Sequence, residues 1–257
     1  MSTGVQAIET GLVVLDVLAG SKKPMMLKEI AMRANMHPAK VHRYLVSFQE
    51  MHYAEQDASG LYRLGHGALR VGLACMEQID PLRFVTRVLD ELNAETGETV
   101  FAAIWGTHGP TIVQWRDSSH PVTVNVKPGS VLPLLRSATG RVYLAYSDRT
   151  MLDPFINAEL KQEKATAHDK NPLGRSDVKD LIATVRDEGV GRVMGELLSG
   201  VNSVSAPVFD FSGKLVLAIT ALGSDTRFDA DLGGETISKL RLAAERFSRD
   251  LGHATLE

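Results

Sequence analysis

Residues 27–45 read Leu27-Lys28-Glu29-Ile30-Ala31-Met32-Arg33-Ala34-Asn35-Met36-His37-Pro38-Ala39-Lys40-Val41-His42-Arg43-Tyr44-Leu45, and this stretch decides the fold of the N-terminal part of the chain. Ala31 is small enough for two helices to cross over it, Asn35 tolerates the left-handed backbone of a tight turn, and Val41 returns to an apolar interior. Pro38 opens the second helix, where its missing N–H costs nothing. Val41, Tyr44, Leu45 and Phe48 make its inward face. Ala39, Lys40, His42 and Arg43 point outward near its start, where a recognition helix meets base edges and phosphates. This is a helix-turn-helix pattern, and its candidate DNA contacts are Lys28, Pro38, Ala39, Lys40, His42, Arg43 and Ser47. The spacing alone also suits an ordinary helical hairpin with basic, solvated faces.

A net charge of −3 over 257 residues excludes a wholly basic, nucleic-acid-coating protein. The charge is uneven, however: Lys22, Lys23, Lys28, Arg33, Lys40 and Arg43 face only Glu29 between positions 22 and 43. Phosphate contacts need such a local patch. The length suggests two domains at about 150 residues each. With Cys75 the sole cysteine, neither an internal disulfide nor a cysteine-based zinc site can form, and it is expected to be a buried small hydrophobe in a reducing compartment. Glu9 and Asp16 interrupt the apolar positions of the N-terminus, so no secretory leader is expected there. No apolar run suits a membrane span, so the expected location is the cytoplasm.

Ile8, Leu12, Leu15 and Leu18, with Val14 beside them, give residues 6–19 a helical period closed by Gly20-Ser21. After the helix-turn-helix, residues 51–56 and 61–64 flank an Asp57-Ala58-Ser59-Gly60 turn. A hairpin there is a wing, from which Arg63 could reach a flanking phosphate. Together, His42-Arg43-Tyr44-Leu45, the wing and Tyr62-Arg63-Leu64-Gly65 resemble the DNA-binding domain of the IclR family of bacterial transcriptional regulators. Members of that family often place Ser-Thr where this chain has Ala39-Lys40, so the bases read here cannot be borrowed from relatives.

Beyond the wing, Leu69, Leu73 and Met76 suggest a linker helix over 67–79 with a wide apolar surface, suited to packing on a neighbour or pairing with a second copy. Asp80 and Pro81 start another helix, with Val85, Val88, Leu89 and Leu92 on one face and Gly97 as its stop. Strands follow at 99–105 and 111–115, with a third expected at 122–126. Helices are expected over 137–147, 150–161 and 178–188, the last capped by Ser176, and a surface loop over 164–175. Strands at 201–209 and 214–222 and a closing helix lined by Ile237, Leu240, Ala244, Phe247 and Leu251 complete an α+β pattern. The expected organisation is a winged helix-turn-helix over 1–66, the linker helix, and a GAF-like effector-binding and oligomerisation domain over 80–257.

The resemblance extends to this second half. Gly129 to Arg141 is similar to a family segment ending in small residues, Gly and Lys, with Arg141 in place of the common Lys. Glu196 to Gly200 and Ser205 to Asp210 match a second landmark. If Ser137 caps a helix, the N–H groups of Ala138, Thr139 and Gly140 form an unpaired positive end that suits an anion such as a carboxylate. The alternative is that these small residues serve close helix packing. In the family this turn forms part of the effector pocket, and by the same resemblance Ser203, Thr220, Leu222 and Met194 fall near it. Trp105 and Trp115 are candidates for an aromatic wall, and Arg116 for neutralising an acid. An aspartate at Gly140 is expected to repel an anion without unfolding the protein.

Enzymatic motifs are missing: there is no His-Glu-x-x-His, no Gly-x-Ser-x-Gly elbow and no phosphate loop. No cofactor or metal is expected. The reading is a regulator that binds duplex operator DNA as a homodimer or dimer of dimers, under control of a small organic acid, aromatic acids included. Its rival is a small-molecule enzyme or sensor whose N-terminal helices serve only dimerisation.

Overall fold

The computed structural model describes residues 4–78, 80–120, 125–165 and 172–253. The chain divides into two compact units, Met1–Ile79 and Asp80–Glu257.

In the first unit, α1 (Gln6–Ala19), α2 (Leu27–Arg33) and α3 (Pro38–Glu50) are followed by β1 (Ala54–Gln56), β2 (Tyr62–Leu64) and α4 (His66–Gln78). Asn35 takes φ 51° between α2 and α3, the left-handed turn that a helix-turn-helix needs. Val14, Leu18, Ile30, Ala31, Val41, Leu45, Ala54 and Tyr62 close one core, against which Tyr44 and Phe48 pack. The first helix uses only part of the face its period suggested, burying Leu18 and half-burying Leu15. Ile8 and Leu12 are exposed, while Gly11, Val14 and Leu18 are buried. The cause lies at Gly11, where a side-chain carbon would stand 3.2 Å from Phe48 and 3.3 Å from Tyr44, so the aromatic rings of α3 seat themselves on the glycine. Cys75 also departs from expectation. It is exposed on α4, whose one buried residue among those described is Gly67 and whose Leu69, Val71, Leu73 and Met76 all face outward.

The second unit holds α5 (Pro81–Thr96), β3 (Thr99–Gly106), β4 (Gly109–Arg116), α6 (Ala138–Tyr146), α7 (Arg149–Ala165), α8 (Arg175–Glu188), β5 (Gly191–Met194), β6 (Val201–Phe209), β7 (Leu215–Ser224) and α9 (Glu235–Asp250). Asp80 accepts hydrogen bonds from the amides of Leu82 and Arg83, and Gly97 ends α5 at φ 69°. The five strands form an antiparallel sheet in the order β4-β3-β7-β6-β5. Central β7 is buried almost throughout. Its Ala218, Thr220 and Leu222 meet α6 and its surroundings. By the two-residue period of a strand, Leu217, Ile219 and Ala221 are left for the face that α9 covers.

Elsewhere the elements differ in part from those expected. Strand β5 went unforeseen, since four residues are too few to show a period. Gly174, not Ser176, precedes α8: the Asp177 carboxylate accepts the Gly174 amide at 2.6 Å, which leaves Ser176 inside the first turn. The strand expected at 122–126 falls mostly outside the described residues, and Asn125 and Val126 belong to no strand. Of the expected loop over 164–175, residues 166–171 lie outside the described residues, while Lys164 and Ala165 end α7 and Arg175 begins α8.

Candidate functional site

Two surfaces concentrate the residues singled out above. The first is the start of α3. Lys28, Pro38, Ala39, Lys40, His42, Arg43 and Ser47 are all exposed. Among the described residues, Lys22, Lys23, Lys28, Lys40 and Arg43 make no ion pair, whereas Arg33 is held by Glu29 at 2.8 Å. The His37 ring nitrogen accepts the Ala39 amide at 3.3 Å and so takes the capping position. Ser47 turns its hydroxyl back to the Arg43 carbonyl at 3.4 Å. On the wing, Arg63 pairs with Glu55 at 3.0 Å, and this guanidinium holds the Glu55 carboxyl below its usual range. Unpaired cations at the positive end of a 13-residue helix suit a polyanion.

The second surface is the start of α6. The Ser137 hydroxyl donates to the Pro133 carbonyl at 2.6 Å and accepts the Gly140 amide at 2.8 Å. Gly140 therefore has its N–H occupied, and only Ala138 and Thr139, the first two residues of the helix, keep amides without an intrahelical acceptor. The loop leading in is pinned from α7. Glu159 accepts the amides of Leu134 and Leu135 at 2.5 and 2.9 Å, and Glu163 binds the Arg136 guanidinium at 2.5 and 2.9 Å. Burial pushes the Glu159 carboxyl up against the pull of those two amides, while Arg136 holds Glu163 below the usual carboxylate range.

Beside this helix start lies a cavity of about 40 Å³. Ser137, Ala138, Thr139, Ser203, Thr220 and Leu222 line it, together with Phe101, Val126, Leu132, Leu197 and Leu198. At its floor the Thr139 and Thr220 hydroxyls are 2.7 Å apart, and Thr220 donates to Ser205 at 2.9 Å. All three are fully buried. Ser205 was not among the residues expected here, although it stands two residues from Ser203 on β6 and so faces the same side of the strand.

Gly140, Met194, Trp105 and Trp115 are not among the lining residues. A side-chain carbon at Gly140 would lie 2.2 Å from the Pro133 carbonyl oxygen and 2.6 Å from the Leu134 backbone. No aspartate fits there without displacing the chain, which overturns the expected tolerance. Met194 is 59% exposed. Trp115 pairs with Phe101 across the strands and stacks on it at 5.3 Å, behind the residue that meets the cavity. Trp105 sits four residues further along β3, about 13 Å at strand rise, and packs on Tyr143 and Phe155 instead. Arg116 pairs with Asp90 on α5, away from the cavity.

Arg141 occupies the next position of α6 and is 8% exposed. Its guanidinium donates to the carbonyls of Leu135, at 3.0 Å, and Arg192, at 2.5 Å, and grips both oxygens of Glu196. Glu196 directly precedes Leu197 and Leu198, so the pair ties this wall of the cavity to the helix that carries the free amides. Sequence alone gave the two landmarks without their partnership, because 55 residues separate them.

Among the described residues no group of His, Cys, Asp and Glu could hold a metal ion, and no helix is long and apolar enough to cross a membrane. The sequence profile of the IclR helix-turn-helix domain matches residues 7–58, and that of the bacterial transcriptional regulator IclR C-terminal region matches residues 74–249. The glycerol operon regulatory protein of Streptomyces coelicolor is 28% identical over 98% of both chains. The DNA-binding transcriptional repressor YiaJ of Escherichia coli is 24% identical over 97% of this chain and 89% of its own. Among solved structures, Pseudomonas aeruginosa HmgR superposes with a TM-score of 0.88 at 33% identity, over 98% of this chain and 100% of its own. The Agrobacterium tumefaciens repressor BlcR shares the fold, with a TM-score of 0.78 at 20% identity over 99% of this chain and 100% of its own. The helix-turn-helix, the five-stranded α+β unit that follows it in the chain and these matches make the chain a member of the IclR family of DNA-binding transcriptional regulators.

Proposed function

We propose that this regulator reads duplex operator DNA with the start of α3, and that a small organic acid at the start of α6 sets its hold on the operator. The observation that carries the ligand half is the pair of unoccupied amides at Ala138 and Thr139 beside three buried hydroxyls. A carboxylate can accept from both amides at once, in a low-dielectric setting where each bond counts for more. The three buried hydroxyls donate along their own chain to the Ile219 carbonyl, and the Ser203 hydroxyl on the same lining is the remaining side-chain donor. The lining is otherwise apolar, which suits the body of an aliphatic or aromatic acid.

Size turns this binding into a switch. A cavity of about 40 Å³ holds little more than one water. An organic acid therefore binds an arrangement in which Leu197, Leu198 or Val126 has moved. A ligand that prefers one arrangement over another is what allosteric control requires. Exposed Val5, Ile8 and Leu12 of the N-terminal region and Leu69, Val71, Leu73 and Met76 of α4 offer apolar surface for a second copy. Two recognition helices would then meet half-sites separated by whole turns of DNA. A regulator at a bacterial operator works in the cytoplasm.

The test of the DNA half is a fluorescence-anisotropy titration of duplex from upstream of its own gene. Arg43→Ala is expected to weaken binding by about 1–3 kcal/mol if Arg43 reads a base, or to flatten the salt slope by about one if it holds a phosphate. Identical isotherms for wild type and variant across the salt series would remove Arg43 from the interface.

A further inference from the structure

The second unit has another cavity, of about 630 Å³, between the end of α8, strand β6 and helix α9. It shares no lining residue with the cavity at the start of α6. We propose that it is a second ligand site, one that takes a flat aromatic ring carrying an anionic group.

Its anion-seeking element is Arg241. The guanidinium is partly buried and donates one Nη to the Glu188 carbonyl at 2.5 Å, yet its Nε is shielded from solvent and has no acceptor. No carboxylate among the described residues pairs with it. The neighbouring Glu188 carboxylate is already taken by Arg192, through bonds of 2.7 and 2.8 Å. Because Nε is enclosed, an anion in the cavity would meet this partly buried cation through its Nη groups, where it has a carbonyl but no counter-charge among the described residues. Arg249 lines the same cavity and is free of ion pairs among the described residues, and Arg186 adds a third guanidinium at the rim, tethered to the Ala145 carbonyl at 3.1 Å. Asp187 and Glu245 line the same cavity and are exposed, as Arg186 and Arg249 are, so water screens all four and the partly buried Arg241 sets the preference.

The ring-seeking element is a run of three aromatic side chains. Tyr146 meets Phe209 edge-on at 5.2 Å, and Phe209 meets the His253 ring at 5.2 Å with 36° between planes. All three line the cavity. An aromatic surface beside guanidinium groups favours a flat ring over an aliphatic chain of equal charge, through stacking on the rings and on the guanidinium plane. The volume lies within the range of small-molecule sites.

The experiment is isothermal titration of the full chain with three probes: 2-naphthoate, the neutral 2-naphthalenemethanol and inorganic sulfate. The proposal expects 2-naphthoate to bind at this site, and both the ringless anion and the uncharged ring to bind at least about tenfold more weakly. Arg241→Gln with Arg249→Gln should weaken this binding about tenfold or more, while Thr220→Val, at the other cavity, should leave it in place. Since Arg241→Gln risks a local shift, Arg249→Gln alone, at an exposed position, must weaken it in the same direction. An unchanged 2-naphthoate isotherm in both arginine variants overturns the proposal, as does equal binding of the neutral probe or of sulfate. Loss of binding in Thr220→Val alone would instead assign the probe to the start of α6, and this site would be rejected while the effector reading stood.

Discussion

Replacing Gly140 by alanine is expected to lower the melting temperature of the C-terminal unit by roughly 6–12 °C, the equivalent of about 3 kcal/mol or more for a domain of this size. The added carbon has no room. It would stand 2.2 Å from the Pro133 carbonyl oxygen and 2.6 Å from the Leu134 Cα and carbonyl oxygen, and all three are backbone atoms rather than the yielding ends of side chains. Those backbone atoms belong to the turn that Glu159 and Ser137 pin, so the strain cannot be shed by a small local shift. Either the turn leaves Glu159 or the first turn of α6 frays, and both outcomes remove the geometry at Ala138 and Thr139. Thermal unfolding of Gly140→Ala, with or without a carboxylate, reads the effect. A melting point within about 1 °C of wild type would mean the helix start yields far more readily than this packing implies.

Arg141→Ala is expected to cost about 2–4 kcal/mol. The substitution removes a nearly buried guanidinium and leaves the carbonyls of Leu135 and Arg192 without their donor. Glu196 also loses its partner, but its side chain is 37% exposed and can turn to water, which keeps the cost below that of a fully buried broken pair. The loss should concentrate on one segment. Amides of residues 195–200 are expected to exchange with solvent about tenfold or more faster, because Arg141 is what holds Glu196 against α6. Arg141→Lys should recover the pairing with Glu196 but not the two carbonyl bonds, and so fall between wild type and alanine. Equal exchange in all three proteins would show that the segment is held by Leu197 and Leu198 packing alone.

How far the chain could be read without coordinates depended on how local each determinant is. The helix-turn-helix was legible because Ala31, Asn35, Pro38 and Val41 each act through their own backbone or nearest neighbour, and Asn35 duly takes a positive φ. The start of α6 was legible for the same reason, since Ser137 caps three residues ahead. Determinants that reach across the chain were not. The buried face of α1 depends on which rings of α3 arrive at Gly11, and a period of apolar residues on α1 could not show that Ile8 and Leu12 would be left outside. Cys75 was taken for core by its residue type, yet the helix around it has no partner within its own unit to bury it.

The cavity was half legible. Thr220, Ser203 and Leu222 were expected near it from the family resemblance, and the strands do bring them to its lining. The tryptophans were assigned by size alone, and register sends them elsewhere: Trp115 lies behind Phe101, and Trp105 stands four residues further along β3, beside Tyr143. Leu197 and Leu198 fell inside the Glu196 to Gly200 landmark, but their place on the cavity and the pairing of Glu196 with Arg141 could not be found by any local pattern, because the segment belongs to no regular element and the partners are 55 residues apart.

The most direct measurement is the operator affinity of the wild-type protein, by anisotropy against random competitor duplex, repeated under saturating members of a carboxylate panel and again for Thr220→Val. At least one acid is expected to shift the wild-type dissociation constant by about 5–150-fold, with the shift sharply reduced in Thr220→Val. If the protein binds its operator selectively but no carboxylate moves that affinity, or if the variant responds as fully as wild type, the cavity at the start of α6 does not govern DNA binding.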